Sequence, residues 1–146
     1  MFTKTGIVCA TVIIASMMAA GNAIAQGSWP DMKGLWTATS SSVVMGGEKH
    51  HPGKVEQGKP YYREVKFTFR ITDQKDRRFF GTVQSEHHTE TFIGVFANNR
   101  KQMLMADSDG FMDATLIDAN TIDYCYRHIT SGSAVVACSV MKREAK

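Results

Sequence analysis

The sequence predicts an all-β protein, specifically an eight-stranded antiparallel up-and-down β-barrel. Three observations carry this expectation. Short stretches rich in β-branched and aromatic residues recur at intervals of about ten, separated by turn-forming residues. Beyond residue 25 almost nothing shows the apolar period of an amphipathic helix. Residues 65–71 alternate cleanly, with Val65, Phe67, Phe69 and Ile71 on one side and Lys66, Thr68 and Arg70 on the other. A strand with one buried and one wet face requires this period of two.

The chain opens on a different signature. Met1-Phe2-Thr3-Lys4 is short and cationic, residues 6–20 form an almost unbroken apolar run, and Ala23-Ile24-Ala25 gives small-x-small before Gln26. That is the layout of a secretory signal peptide at 1–25. The apolar run is shorter than the roughly 20 residues of a membrane-spanning helix. Cys9 lies early in it, without the preceding small residue of a lipidation cysteine. The expected plan is a signal peptide at 1–25, an N-terminal arm at 26–33 and a single β-barrel domain at 34–146, secreted or periplasmic. Removing 1–25 from 146 residues leaves 121, enough for one core. The 17 basic residues less Lys4, against 14 acidic ones, give a mature charge of +2. With no basic run interleaved with aromatics, that balance points away from nucleic acid.

Eight candidate strands follow, at 34–45, 63–72, 78–85, 91–97, 102–106, 111–117, 121–129 and 134–141. Between them stand Asp73 to Asp76, Asn98-Asn99, Asp107-Ser108-Asp109-Gly110, Ala119-Asn120 and Ser131-Gly132, all hairpin-turn chemistry. Only the first connection, 46–62, is long, and it is rich in Gly and Pro. A meander of eight such strands can close on itself. An outer-membrane barrel fits poorly, because the second strand would present Lys66, Thr68 and Arg70 to lipid.

The last hairpin is specific enough to give a register. A two-residue loop at Ser131-Gly132 pairs residues whose numbers sum to 263, which sets Cys125 opposite Cys138. Loss of Cys9 with the signal peptide leaves these two, and an even count in an exported chain favours a disulfide. The pair is of the non-hydrogen-bonded kind, with Cα atoms about 4.5 Å apart, within reach of a bridge.

If Trp36 points inward, so do Ala38, Ser40, Ser42 and Val44. A strand lined by Ala and Ser leaves volume that a solid barrel would fill with larger side chains, so a cavity is expected. Phe67, Phe69, Phe92 and Phe96 face it from other strands. On the seventh strand one face carries Tyr124, Tyr126 and His128 and the other Asp123, Cys125 and Arg127. Tight turns would set Tyr126 beside Asp113 and Arg127 beside Met112. Either face offers polar contacts, and Asp123 with Arg127 equally reads as a surface charge pair. Tyr124 and Tyr126 are taken as ligand contacts. The expected ligand-binding set is therefore Trp36, Ser40, Ser42, Phe67, Phe69, Tyr124 and Tyr126, around a small, partly apolar molecule, with no cofactor.

Four of the five histidines come as two doublets, His50-His51 in EKHHPG and His87-His88 in SEHHTE. Neighbours on a strand point to opposite faces, so a doublet chelates only from a loop, and zinc usually takes at least three protein ligands. In an up-and-down barrel all odd-numbered connections emerge at one end. His50, His51, His87, His88, Asp107 and Asp109 would then share a rim, which makes them a candidate metal set by residue type. Against that stands ordinary loop chemistry, since Asp-Ser-Asp-Gly is also a plain hairpin turn that lacks the remaining ligands of a calcium loop.

Lys33-Gly34-Leu35-Trp36 at the start of the first strand, with Lys142-Arg143 at the end of the last, resembles the pattern of the calycin group, the lipocalins and avidins. The resemblance implies a tryptophan plugging one barrel end beneath a basic residue of the last strand. It carries no ligand identity. A small exported eight-stranded barrel with one disulfide also resembles the bacterial inhibitors of secreted metalloproteases, which insert an N-terminal arm into the protease cleft. That resemblance implies a protein partner and a role for residues 26–33. No nucleophile elbow, phosphate loop or HExxH is present. The sequence thus favours a non-enzymatic small-molecule binder with residues 46–62 as a lid, ahead of a protease inhibitor or a rim metal binder.

Overall fold

The computed structural model describes residues 28–47 and 58–145. The signal-peptide reading of 1–25 lies outside them, as do His50, His51 and most of the connection read as a lid.

The eight strands are β1 (Gly34–Gly46), β2 (Pro60–Lys75), β3 (Arg78–Gln84), β4 (Thr89–Phe96), β5 (Gln102–Ala106), β6 (Gly110–Asp118), β7 (Thr121–Ile129) and β8 (Ser133–Arg143). Each pairs antiparallel with the next, and β8 pairs back onto β1, so the meander closes as a barrel. The largest departure from expectation is β2. It starts three residues earlier than predicted and runs on through Asp73 and Gln74, which had read as turn residues. The turn is only Asp76-Arg77, with Asp76 at φ 56°, a left-handed conformation that Asp tolerates.

The register fixes the barrel's shape. From Gly34 the ladder crosses to Ile71, Gly81 and Phe92, then through Gly110, His128 and Val135, and returns to β1 at Val44. The stagger is ten residues (34 to 44), which tilts the strands by about 40° to the axis. Inward positions are those the alternation predicts: Trp36, Ala38, Ser40 and Val44 on β1, Phe69 and Ile71 on β2 and Tyr124 on β7 are buried.

One register differs. Tyr126 lies opposite Met112 and Arg127 opposite Phe111, not opposite Asp113 and Met112. The tight Ala119-Asn120 turn does pair Asp118 with Thr121, but an irregularity between Leu116 and Asp118 takes up one extra residue, and every later pair slips by one. Arg127 nevertheless reaches Asp113 from its side and forms an ion pair with it on the outer surface.

The two halves of the barrel are filled differently. Towards the end where β1 begins, Met32, Trp36, Phe96, Met103, Ile122 and Met141 are all at most 2% exposed and belong to one apolar cluster. The Trp36 indole donates to the Met32 carbonyl at 2.9 Å. Arg143 covers the same indole at 4.1 Å from the ring centre and donates to the carbonyls of Asp31, Lys33 and Ala119. This is the plug that the calycin resemblance implies, and the closed eight-stranded barrel is compatible with such a fold.

The arm is part of this end. Trp29 packs 5.9 Å from Phe96 with Arg100 over the Trp29 ring at 5.0 Å, and Gln74 binds both the Pro30 carbonyl and the Met32 amide. Two glycines serve ring packing. A Cβ at Gly94 would stand 2.3 Å from the Phe79 ring, and one at Gly110 would stand 2.3 Å from the Tyr126 hydroxyl.

Cys125 and Cys138 lie opposite each other on the outer face, in the predicted register, with Cα atoms 4.1 Å apart and a disulfide between them. Such a bridge fits an oxidising, extracytoplasmic environment. The outer surface is otherwise mixed. Glu64, Lys66 and Arg70 line β2, while Ile93, Leu104, Phe111, Ile129 and Val136 stand exposed on β4 to β8.

Candidate functional site

The other half of the barrel is hollow. A cavity of about 100 Å³ runs from the level of Phe69 up to the rim formed by the odd-numbered connections. Its origin is visible in single residues. Ser40 and Ser42 on β1 and Ala137 on β8 put small side chains on adjacent strands where Val or Leu would close the space. Phe67, Phe69, Val83 and Met112 form an apolar lower wall. Phe69 packs edge-on against both Phe92 and Tyr124, at 5.6 and 5.8 Å between ring centres, which holds the floor rigid.

Six residues of the expected ligand set, Ser40, Ser42, Phe67, Phe69, Tyr124 and Tyr126, line this cavity. Trp36 does not. It lies below the floor, fully buried, and serves as the plug. The seventh strand turns its Tyr124, Tyr126 and His128 face inward, while Asp123, Cys125 and Arg127 are exposed. Burial raises the pKa of the Tyr124 hydroxyl, partly opposed by hydrogen bonds with Ser40 and Ser139. The group therefore stays protonated, and with Ser40 and Ser42 it gives the cavity lining a polar part beside its apolar wall.

The mouth is acidic. Asp107 and Asp109 from the β5–β6 connection meet Glu90 of β4, and one carboxylate oxygen of each lies within 4.8 Å of the others. His88 joins them, its Nε2 3.2 Å from Glu90. His87 points elsewhere and pairs with Glu86 at 3.8 Å. So the structure brings together three of the predicted metal-set residues, His88, Asp107 and Asp109, and adds Glu90. Sequence alone cannot place the carboxylate pair Glu86 and Glu90; the β4–β5 pairing of Ile93 with Ala106 sets Glu90 beside the 107–109 turn.

Each carboxylate is oriented by the protein. Asp107 Oδ1 accepts from the Gly110 amide at 2.8 Å, Glu90 accepts from the Ser108 hydroxyl at 2.6 Å, and Asp109 accepts from the Tyr126 hydroxyl at 2.9 Å. Burial raises the Asp107 pKa above the usual carboxylate value. The amides of Gly110 and Asp109 oppose this, and the charges on Glu90 and Asp109 add to it. Tyr126 is pushed far up, by burial first and then by Asp107, Asp109 and Glu90. Both shifts report the same physical fact, a concentration of negative charge in a partly dry mouth.

Behind the mouth runs a hydrogen-bonded chain. Tyr126 donates to Asp109 and lies 3.0 Å from His128 Nδ1, and His128 Nε2 lies 2.8 Å from the Ser133 hydroxyl. Since the phenol proton goes to Asp109, the imidazole must carry a proton on Nδ1 to donate to the phenol oxygen. Ser133, His128 and Asp109 superficially suggest a hydroxyl nucleophile with its base. However, Ser133 and His128 are only 5% and 4% exposed, neither lines the cavity, and Tyr126 intervenes on the way to the carboxylate. The chain positions Tyr126 and Asp109.

Comparison of the chain with models of protein families, with curated proteins and with solved structures finds no match in any of the three.

Proposed function

We propose that the protein is an exported, non-enzymatic binder of a small, partly apolar molecule, which enters by the open rim and rests on the Phe67–Phe69 wall. The observation that carries this reading is the half-filled barrel. One end is packed solid under Trp36, while the other keeps a cavity lined by Ser40, Ser42 and Ala137. Empty volume forfeits packing energy, so a space kept open beside a well-packed core is best explained by an occupant. The calycin resemblance supports the same reading, since barrels of that group take ligands at the open end. The test is to fill the space. Ala137→Phe should abolish uptake of a small apolar fluorophore while the unfolding transition stays cooperative, and Phe67→Ala, which enlarges the cavity, should alter affinity without abolishing uptake. Equal uptake by Ala137→Phe and the unsubstituted protein would sink the proposal.

A second reading, a divalent cation at the rim, is favoured by the convergence of Glu90, Asp107 and Asp109. Calorimetric titration with calcium and zinc tests it, with loss of binding expected in Glu90→Gln combined with Asp107→Asn. The inhibitor reading loses its main support, because Trp29 to Lys33 pack against the closed end and are not presented as a projecting arm.

A further inference from the structure

Building on the cavity reading, we infer that the ligand is an organic amine: a protonated amino head held by Glu90, Asp107 and Asp109, on a short apolar body that lies against Phe67, Phe69 and Met112.

The cavity supplies the site, and the charges at its mouth supply the sign. Three carboxylates line the cavity on the β4 to β6 side, with His88 3.2 Å from Glu90 and one guanidinium, Arg63 on β2, on the same lining. A ligand entering there displaces water from the carboxylates. A neutral head leaves that loss uncompensated, and an anionic head adds repulsion. A cationic head removes both costs.

The donor count favours a nitrogen. One oxygen of each of Glu90, Asp107 and Asp109 lies within 4.8 Å of the others, so a single cationic head can meet all three. A primary ammonium has three donors for three acceptors. A calcium ion wants six to eight oxygens at about 2.3–2.6 Å, whereas the cavity that opens beneath the three carboxylates is walled by Phe67, Phe69 and Met112. That wall suits the apolar body of an organic ammonium and offers nothing to a hydrated metal ion. Below the mouth Phe67, Phe69, Val83 and Met112 give the cavity an apolar wall beside Ser40, Ser42 and Tyr124, so the ligand has a charged end and a greasy end in a fixed order.

The test varies the head on a constant tail. Hexylammonium, 1-hexanol and hexanoate are titrated calorimetrically into the purified protein, with calcium as a fourth probe. Hexylammonium is expected to bind at least about tenfold tighter than hexanol, with hexanoate weakest. Added salt should weaken the amine and leave the alcohol unchanged. In Glu90→Gln combined with Asp107→Asn, the preference for the amine should disappear while hexanol still binds. Hexanol or hexanoate binding as tightly as the amine overturns the charge inference and leaves the cavity reading standing. Binding of calcium with none of the three organic probes overturns both. The head-group series and its salt dependence decide the matter on the unsubstituted protein even if the double variant fails to fold.

Discussion

The Arg143 guanidinium lies 4.1 Å over the Trp36 indole and at the same time donates to the main-chain carbonyls of Asp31, Lys33 and Ala119. One side chain at the end of β8 thus ties the plug, the arm and the β6–β7 turn together. Cation–π attraction contributes about 0.5–2 kcal/mol, and hydrogen bonds from a charged donor add to it. Arg143→Ala should therefore cost about 2–3 kcal/mol in urea unfolding, with a change in tryptophan fluorescence as Trp29 and Trp36 become wetter. Arg143→Lys keeps the charge but loses the planar fork, so it should recover only part of the loss. Full recovery by Lys would show that the carbonyl contacts contribute little.

The Cys125–Cys138 bridge closes a segment with sequence separation 13, and both cysteines face outward, away from the cavity. Replacing both by Ser should cost about 2–3 kcal/mol of stability through the freed unfolded chain, with ligand affinity nearly unchanged. Urea unfolding with and without a reductant gives the first quantity, and calorimetry with hexylammonium gives the second. A large loss of affinity at unchanged stability would contradict this separation of scaffold and site.

Much of this architecture was written in local pattern. The alternation at Val65 to Ile71 gave the inner face of β2, and the summed numbering of the last hairpin placed Cys125 opposite Cys138, because both depend only on period two and one tight turn. The Ser and Ala inner face of β1 foretold the hollow half. What stayed hidden depends on contacts far apart in sequence or on single extra residues. The irregularity at 116–118 has no turn residue to announce it, and it moved Tyr126 from beside Asp113 to beside Met112. Glu90 has no place in the site that sequence alone can assign. Only the closure of β4 against β5 makes it a neighbour of Asp107. Trp36 was read as a ligand contact because it faces inward, yet facing inward says nothing of depth, and it lies beneath the floor.

Tyr126 links the carboxylate mouth to a buried imidazole. Tyr126→Phe removes the acceptor for His128 Nδ1–H and the donor for Asp109 Oδ1, while the ring that Gly110 accommodates stays in place. Leaving a buried donor without that partner should cost about 1–3 kcal/mol. The ¹⁵N chemical shifts of the His128 ring should show the proton on Nδ1 in the unsubstituted protein and a changed tautomer balance in the variant. An unchanged tautomer together with unchanged stability would rule out the chain as drawn.

Asp107 should set stability against binding. Its folded pKa is raised above 3.8, chiefly by burial. Ionising it is therefore harder in the folded protein than in the unfolded chain, and near neutral pH its charge works against folding. Asp107→Asn mimics the protonated form and keeps an oxygen for the Gly110 amide, which donates at 2.8 Å. The side chain is only partly buried, so solvent screening limits the gain to under about 1 kcal/mol, or about 1–3 °C in melting temperature near pH 7. The sign follows from the raised pKa. As pH falls through the folded pKa the wild-type carboxyl takes up its proton and the advantage of Asn shrinks, and below the ordinary value of 3.8 it is gone. Calorimetric melting of both proteins between about pH 3 and 8 measures this window. If Asn is the less stable side chain at neutral pH, the amides of Gly110 and Asp109 outweigh burial at this position. If Asn is more stable but binds hexylammonium less tightly, the carboxylate is kept at a cost in stability because the ligand needs its charge.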